Sequence, residues 1–160
     1  MAGEAPFTIP REIVIDGTDL VLGRLASKVA QLLLMGFRVH VVNVEKVVVS
    51  GDPTKVILAY KKLFGVKTLH NPYRTGVRRA RTPAHIFKDT VYGMLPKHNR
   101  RGREAWSRLR AWIGFPEQLR TKPMLPREML MDAHVSRLGH KYVRLEVIAR
   151  EMGWRGVVSK

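Results

Sequence analysis

The sequence predicts an α/β fold, a three-layer domain with a small, mostly parallel sheet flanked by helices. Three observations carry that expectation. A short apolar strand at 12–17 leads into an amphipathic stretch at 23–36 and then into a β-branched run at 38–49. The links between them are short, and strand–helix–strand units of this kind cross over right-handed and make parallel pairs. A second helical stretch then follows the second strand. A chain of 160 residues suits one domain with a modest appendage and can bury a real core.

Each element can be justified in order. Residues 1–12 hold Pro6 and Pro10 and read as a loose N-terminal arm. EIVIDG (12–17) is a strand ended by the turn pair Asp16-Gly17. In GRLASKVAQLLLMG (23–36), Leu25, Val29, Leu32, Leu33 and Gly36 share one side at helical spacing, and Arg24, Lys28 and Gln31 share the other. RVHVVNVEKVVV (38–49) is nearly continuously apolar, as a single buried strand should be. The next helix has Asp52 as N-cap, Pro53 at its first position and Gly65 past its end.

After Lys67 the chain changes character. HNPYRTGVRRARTP (70–83) has no period and is expected as an irregular basic loop. Thr82-Pro83 opens a helix whose Phe87, Val91, Met94 and Leu95 recur at helical spacing, and Pro96 ends it. A second basic loop covers 97–103, followed by a helix over 103–114 that runs into a strand around Ala111–Ile113. The α/β core is thus set at 13–116. In the extension, 117–160, Pro123 and Pro126 break the pattern before a short helix near Arg127–Met131 and a final one carrying Leu145, Ile148, Ala149 and Met152. Its apolar content suits packing against the domain or against a neighbour.

Charge narrows the function. Twenty-nine Lys and Arg against thirteen Asp and Glu give +16 and a pI near 11.0, the balance of a nucleic-acid binder. The pure apolar runs, such as Leu32–Met35, are far too short to cross a bilayer. No basic amphipathic helix with aromatic anchors points to a membrane surface. The N-terminus lacks the apolar centre of a signal peptide, so a cytoplasmic protein is expected. The absence of cysteine excludes disulfides, thiol catalysis and Cys-containing zinc sites.

The excess charge is concentrated. Between Tyr73 and Ala111 stand Arg74, Arg78, Arg79, Arg81, Lys88, Lys97, Arg100, Arg101, Arg103, Arg108 and Arg110, opposed only by Asp89 and Glu104. A soluble face normally mixes both signs, so this segment needs an anion. Guanidinium groups hold phosphate with paired hydrogen bonds and stack on bases. Tyr73, Tyr92, His98 and Trp106 are interleaved and can stack on unpaired bases, although Trp106 and Trp112 read first as core beside Leu109 and Ile113. Arg24 and Lys28, like charges four apart on the first helix, complete the candidate RNA-binding set with His98.

Enzyme chemistry finds little support. GTDLVLG (17–23) lacks the close glycine pair of a dinucleotide loop, which leaves Glu45 a weak candidate for a ribose-binding acid. No phosphate loop or nucleophile elbow occurs. The six histidines form no metal-ligand spacing, and no metal or cofactor is expected. Gly153-Trp154-Arg155-Gly156 matches G-x-x-G literally but reads as a helix cap and tail.

With these residues in view, the chain resembles the universal large-subunit ribosomal protein L13 family in its archaeal and eukaryotic form. The resemblance is carried by LGRLAS (22–27), VVNVEKVVVSG (41–51), NPYRTG (71–76), Gly93-Met94-Leu95-Pro96, Arg101-Gly102 with Ala105, Leu109 to Gly114-Phe115-Pro116, and YVRLEVIAREMGW (142–154). Tyr92 stands where the family usually has Arg, and Tyr73-Arg74-Thr75-Gly76-Val77 is shifted against the family's R-G-P. The resemblance implies a non-catalytic structural protein bound to large-subunit ribosomal RNA, beside neighbouring ribosomal proteins. It also implies that Arg100, Arg101 and Arg103 contact phosphates and that loop 74–81 threads between RNA segments. A nucleotide-dependent RNA-modifying enzyme and a free RNA-binding regulator are the alternatives.

Overall fold

The structure, a computed structural model, describes residues 11–67, 70–76 and 78–156. The arm expected at 1–12 therefore lies almost wholly outside the described residues. Strand β1 (Glu12–Asp16) is buried at Ile13, Val14 and Ile15. The chain then turns at Gly17, where a Cβ would come 2.8 Å from Val47 Cγ2 and 3.1 Å from the Val42 carbonyl oxygen, so no larger residue fits. Helix α1 (Leu22–Leu34) buries Leu22, Leu25, Ala26, Val29, Ala30 and Leu33. Leu32 is only half-buried and Gly36 is exposed, so the buried stripe is centred slightly off the expected one.

Strand β2 (Arg38–Val42) pairs parallel with β1, Glu12 opposite Arg38 and Asp16 opposite Val42. The single long strand expected over 38–49 is instead divided. Asn43 takes the left-handed conformation (φ 53°, ψ 39°), and its Nδ2 donates to Asp16 Oδ1 at 3.0 Å. Asparagine tolerates that backbone where valine does not. A 3-10 turn, Val44–Lys46, follows, and strand β3 (Val48–Ser50) leaves for a second sheet.

Helix α2 (Pro53–Gly65) begins after Asp52 with Pro53 in place, includes Gly65 and has no fully buried residue. The short α3 (Pro72–Thr75) interrupts the expected basic loop. Helix α4 (Pro83–Met94) buries Ile86, Phe87 and Val91, while Met94 is 44% exposed. After α5 (Arg100–Ser107), strand β4 (Leu109–Ala111) joins β2 in parallel, giving the order β1-β2-β4. It begins two residues before the expected strand, because Leu109 takes the core position. Strand β5 (Tyr142–Arg144) pairs antiparallel with β3, and α6 (Leu145–Glu151) follows.

One face of the main sheet, through Ile13, Ile15, Val39, Val41 and Leu109, packs with α1 and α4 in the principal core. Val14 and Val42 point the other way and are covered by Leu119 and Phe115. The extension is part of this domain. Leu130, Ala133, Val143, Leu145, Ile148 and Ala149 all join the principal core. Its backbone also covers the free edge of β1: Val14 N–H donates to the Pro123 carbonyl at 2.9 Å, and Leu125 N–H to the Val14 carbonyl at 2.8 Å.

Candidate nucleic-acid interface

The turn between α4 and α5 sets the position of the central arginines. Thr82 caps α4 by accepting from the His85 backbone N–H at 3.4 Å. At the other end Leu95 becomes extended before Pro96, which cannot continue a helix. The chain reverses, and Gly102 comes to rest on Pro96. A Cβ on Gly102 would lie 2.0 Å from the Pro96 carbonyl oxygen. Residues 100–103 are therefore the first turn of α5 and not the loop expected at 97–103. Glycine reads as a helix breaker from sequence, but here its missing side chain is what lets the helix start so close.

Three arginines in that turn are unusual electrostatically, since a helix N-terminus is already positive. Arg100 is offset by Glu104, with Nε donating to Oε1 at 2.7 Å. Arg101 reaches back to the Leu34 carbonyl at 3.3 Å and Arg108 to the Leu33 carbonyl at 2.8 Å, so both cap the negative end of α1. The Nε of Arg108 is buried without a partner. Arg103 is exposed, with no side-chain partner among the described residues. Beside it Tyr92 tilts against Trp106 at 5.1 Å, and Lys97 Nζ lies 5.2 Å over the Tyr92 ring. Trp106 is half-buried and Trp112 is 37% exposed, so neither is full core.

The predicted set divides into groups. Lys28 shares a surface groove with Gln31, Leu34 and Met94, and the Arg101 contact to Leu34 places α5 at the same end of α1. Arg78, Arg79 and Arg81 line a second groove with Leu63, Phe64 and Val66 of the α2 end. Arg81 stacks 4.8 Å over the Phe64 ring and donates to the Met152 carbonyl at 2.9 Å. Arg74 and His98 are exposed, and Lys88 is half-buried on α4. Arg24 and Arg110 are turned to carbonyls elsewhere. Arg24 is turned to the Asp132 carbonyl at 2.9 Å. Arg110 pairs in register with His40, on the sheet face away from α1, and bonds its own segment's Ser107 and Leu109 carbonyls.

Ion pairs separate the two kinds of cation. Eight form among the described residues, and only Arg100–Glu104 uses a member of the candidate set. Glu12 serves Arg38 (2.7 Å) and Lys122, and these two hydrogen-bonding cations hold its pKa down at about 2. Asp16 takes Arg127 at 3.2 Å. Burial pulls the Asp16 carboxyl up, but hydrogen bonds from Asn43 and Thr18 outweigh it and its pKa is lowered. The acids thus neutralise the β1 edge and the extension. They leave the arginines of 74–103 mostly unopposed.

Groups that could suggest catalysis are occupied structurally. The Glu45 carboxylate accepts from the Gly114 backbone N–H at 3.1 Å, which explains its place after β2 without a ribose. His40 accepts from Trp112 Nε1 at 3.3 Å and is buried, which lowers its pKa, helped by the Lys122 charge. No group of three His, Cys, Asp or Glu among the described residues could hold a metal. Gly153 (φ 96°) closes α6, as the cap-and-tail reading of G-x-x-G expects.

A family model described as ribosomal protein L13 matches residues 10–118. The chain belongs to that family. Archaeal relatives extend the likeness over nearly the whole length. The protein of Aeropyrum pernix named large ribosomal subunit protein uL13 is 46% identical, covering 94% of this chain and 95% of its own. Those of the same name from Sulfolobus acidocaldarius and Archaeoglobus fulgidus are 44% and 41% identical over 88% and 90% of this chain, and 93% and 89% of theirs. In this L13-family chain the resembling segments now have structural reasons. LGRLAS forms the start of α1, Gly93-Met94-Leu95-Pro96 ends α4, and Arg101-Gly102 with Ala105 builds the α5 contact. Tyr92 contacts Trp106 and Lys97. What the sequence reading missed is the part played by α2: Phe64 and Leu63 form the wall behind Arg78 and Arg79. Lys61-Lys62 and Lys67, flanking those apolar residues, are the signal that could have drawn attention to it.

Proposed function

We propose that the chain is a structural constituent of the large ribosomal subunit that binds ribosomal RNA through the cations of α3, the 78–81 segment and the α4–α5 turn. It works in the cytoplasm, within the ribosome and beside other large-subunit proteins, with no catalytic step and no cofactor or small-molecule substrate. The observation that carries this reading is the partition of charge: of the eight ion pairs among the described residues only Arg100–Glu104 involves a cation of the 74–110 segment, which leaves most of its arginines without an ion-pair partner there. Phosphates in a folded RNA are the matching anion, and contacts to them position the protein on the RNA. Family membership and the uL13 relatives give the reading its place in the subunit.

Sedimentation of a cell extract through sucrose at raised salt tests it. The chain is expected with the large subunit under salt that strips loosely held factors. Recovery at the top of the gradient would sink the proposal.

A further inference from the structure

Asp89 poses a problem that phosphate binding does not solve. It is one of two acids in the cationic segment, and unlike Glu104 it makes no ion pair among the described residues. A carboxylate there repels phosphate. It lines a cavity of about 270 Å³ between α2 and α4, with Tyr60, Phe64, Arg79, Ile86 and Thr90. That volume is just below the roughly 300–1,000 Å³ of sites for drug-sized ligands, and suits a single planar ring system. The arginine-lined groove described above adjoins it, sharing Leu63, Phe64 and Arg79. An arginine-lined groove thus opens beside an aromatic-walled pocket that holds one acid.

We propose that this pair of cavities receives one unpaired nucleotide of the ribosomal RNA, its base a guanine inserted between α2 and α4 and its phosphate among Arg78, Arg79 and Arg81. The inference rests on the RNA-binding reading above and specifies one contact within it. Single-stranded RNA is read by splaying a base onto aromatic side chains and bonding its edge. Tyr60 and Phe64 supply the rings. The carboxylate of an aspartate such as Asp89 can only accept hydrogen bonds. The Thr90 hydroxyl donates to the Ile86 carbonyl at 2.9 Å, leaving its oxygen to accept as well. Guanine alone among the four bases presents two adjacent donors, N1–H and N2–H, to such a carboxylate. Cytosine and adenine offer only an amino group, and uracil one imino hydrogen.

The test uses intact large subunits assembled with the wild-type chain or with Asp89→Asn, which keeps the size of an exposed side chain while replacing one acceptor with a donor. Kethoxal modifies the N1 and N2 edge of unpaired guanine. One guanine is expected to be protected in wild-type subunits and to become several-fold more reactive in Asp89→Asn subunits. Ultraviolet cross-linking of wild-type subunits should attach a guanosine nucleotide to a peptide carrying Tyr60 or Phe64. No guanine changing reactivity, or an adduct with another base, overturns the assignment while leaving RNA binding by the arginines intact. A cross-link from Lys62 to a neighbouring protein, with the Tyr60–Phe64 peptide free of nucleotide, gives the pocket to that protein instead. Subunits that lack the chain altogether overturn both readings.

Discussion

At the residue scale, Gly102 and Arg103 show how little separates architecture from recognition. Gly102→Ala puts a methyl group 2.0 Å from a carbonyl oxygen that belongs to the backbone and cannot swing away. Overpacking of this kind costs about 1–3 kcal/mol, and a lowered urea midpoint is expected, read by circular dichroism. Arg103, exposed and without a side-chain partner among the described residues, is available to phosphate, whereas Arg100 is already matched by Glu104. In filter binding to ribosomal RNA, Arg103→Gln should therefore weaken binding more than Arg100→Gln. Each lost phosphate contact should flatten the plot of log affinity against log salt by about 0.7–0.9; equal effects from the two variants would refute this ranking. His40 gives a pH signature. Its folded pKa lies below the ordinary 6.5 because of burial first and the Lys122 charge second. The unfolded chain takes up that proton more readily, so this contribution to stability is whole above pH 6.5 and is lost as pH falls below it. Urea midpoints across that window, compared with those of His40→Gln, measure it.

At the element scale, several segments depend on partners distant in sequence. The free edge of β1 is closed by residues 123–125, and Glu12 at its start holds both Arg38 of β2 and Lys122. A carboxyl with a folded pKa of about 2 against an ordinary 4.5 contributes stability that is present above pH 4.5 and lost as pH falls toward 2. The Glu12 side chain, followed by NMR, should titrate near the lower value and move upward in Lys122→Ala. Helix α2 has no buried residue of its own yet borders two adjoining cavities, and its exposed Leu63 lines both of them. The helix-terminal arginines work differently. Arg101 and Arg108 spend guanidinium donors on the last carbonyls of α1, locking α5 to it.

For the whole molecule, the charge is the dominant fact. A net +16 opposes compaction, and among the described residues eight ion pairs relieve part of it, only one of them in the 74–110 segment. The thermal midpoint of the free protein is expected to rise between about 0.05 and about 0.5 M monovalent salt, as screening shortens the reach of that repulsion. A falling midpoint would mean that the ion pairs outweigh the repulsion. Bound RNA should raise the midpoint further, because a ligand held by the folded state alone stabilises it.

Much of this was legible in the sequence because its signals are local. Apolar periodicity gives α1 and α4, proline and the Thr82 cap fix where α4 starts and stops, and the count of charged residues points to a polyanion. Three outcomes were not local. The break at Asn43 depends on Asp16, twenty-seven residues away; the early start of α5 depends on Gly102 meeting Pro96; and the sorting of arginines into free and engaged depends on which carbonyls and acids the fold brings near them. Sequence by itself determined the class of fold and the sign of the partner, since both follow from composition and short-range pattern. Only the tertiary structure decided which cations are engaged by carbonyls and acids and which are left exposed, because a guanidinium is free or spent according to neighbours that the chain delivers from far along its length.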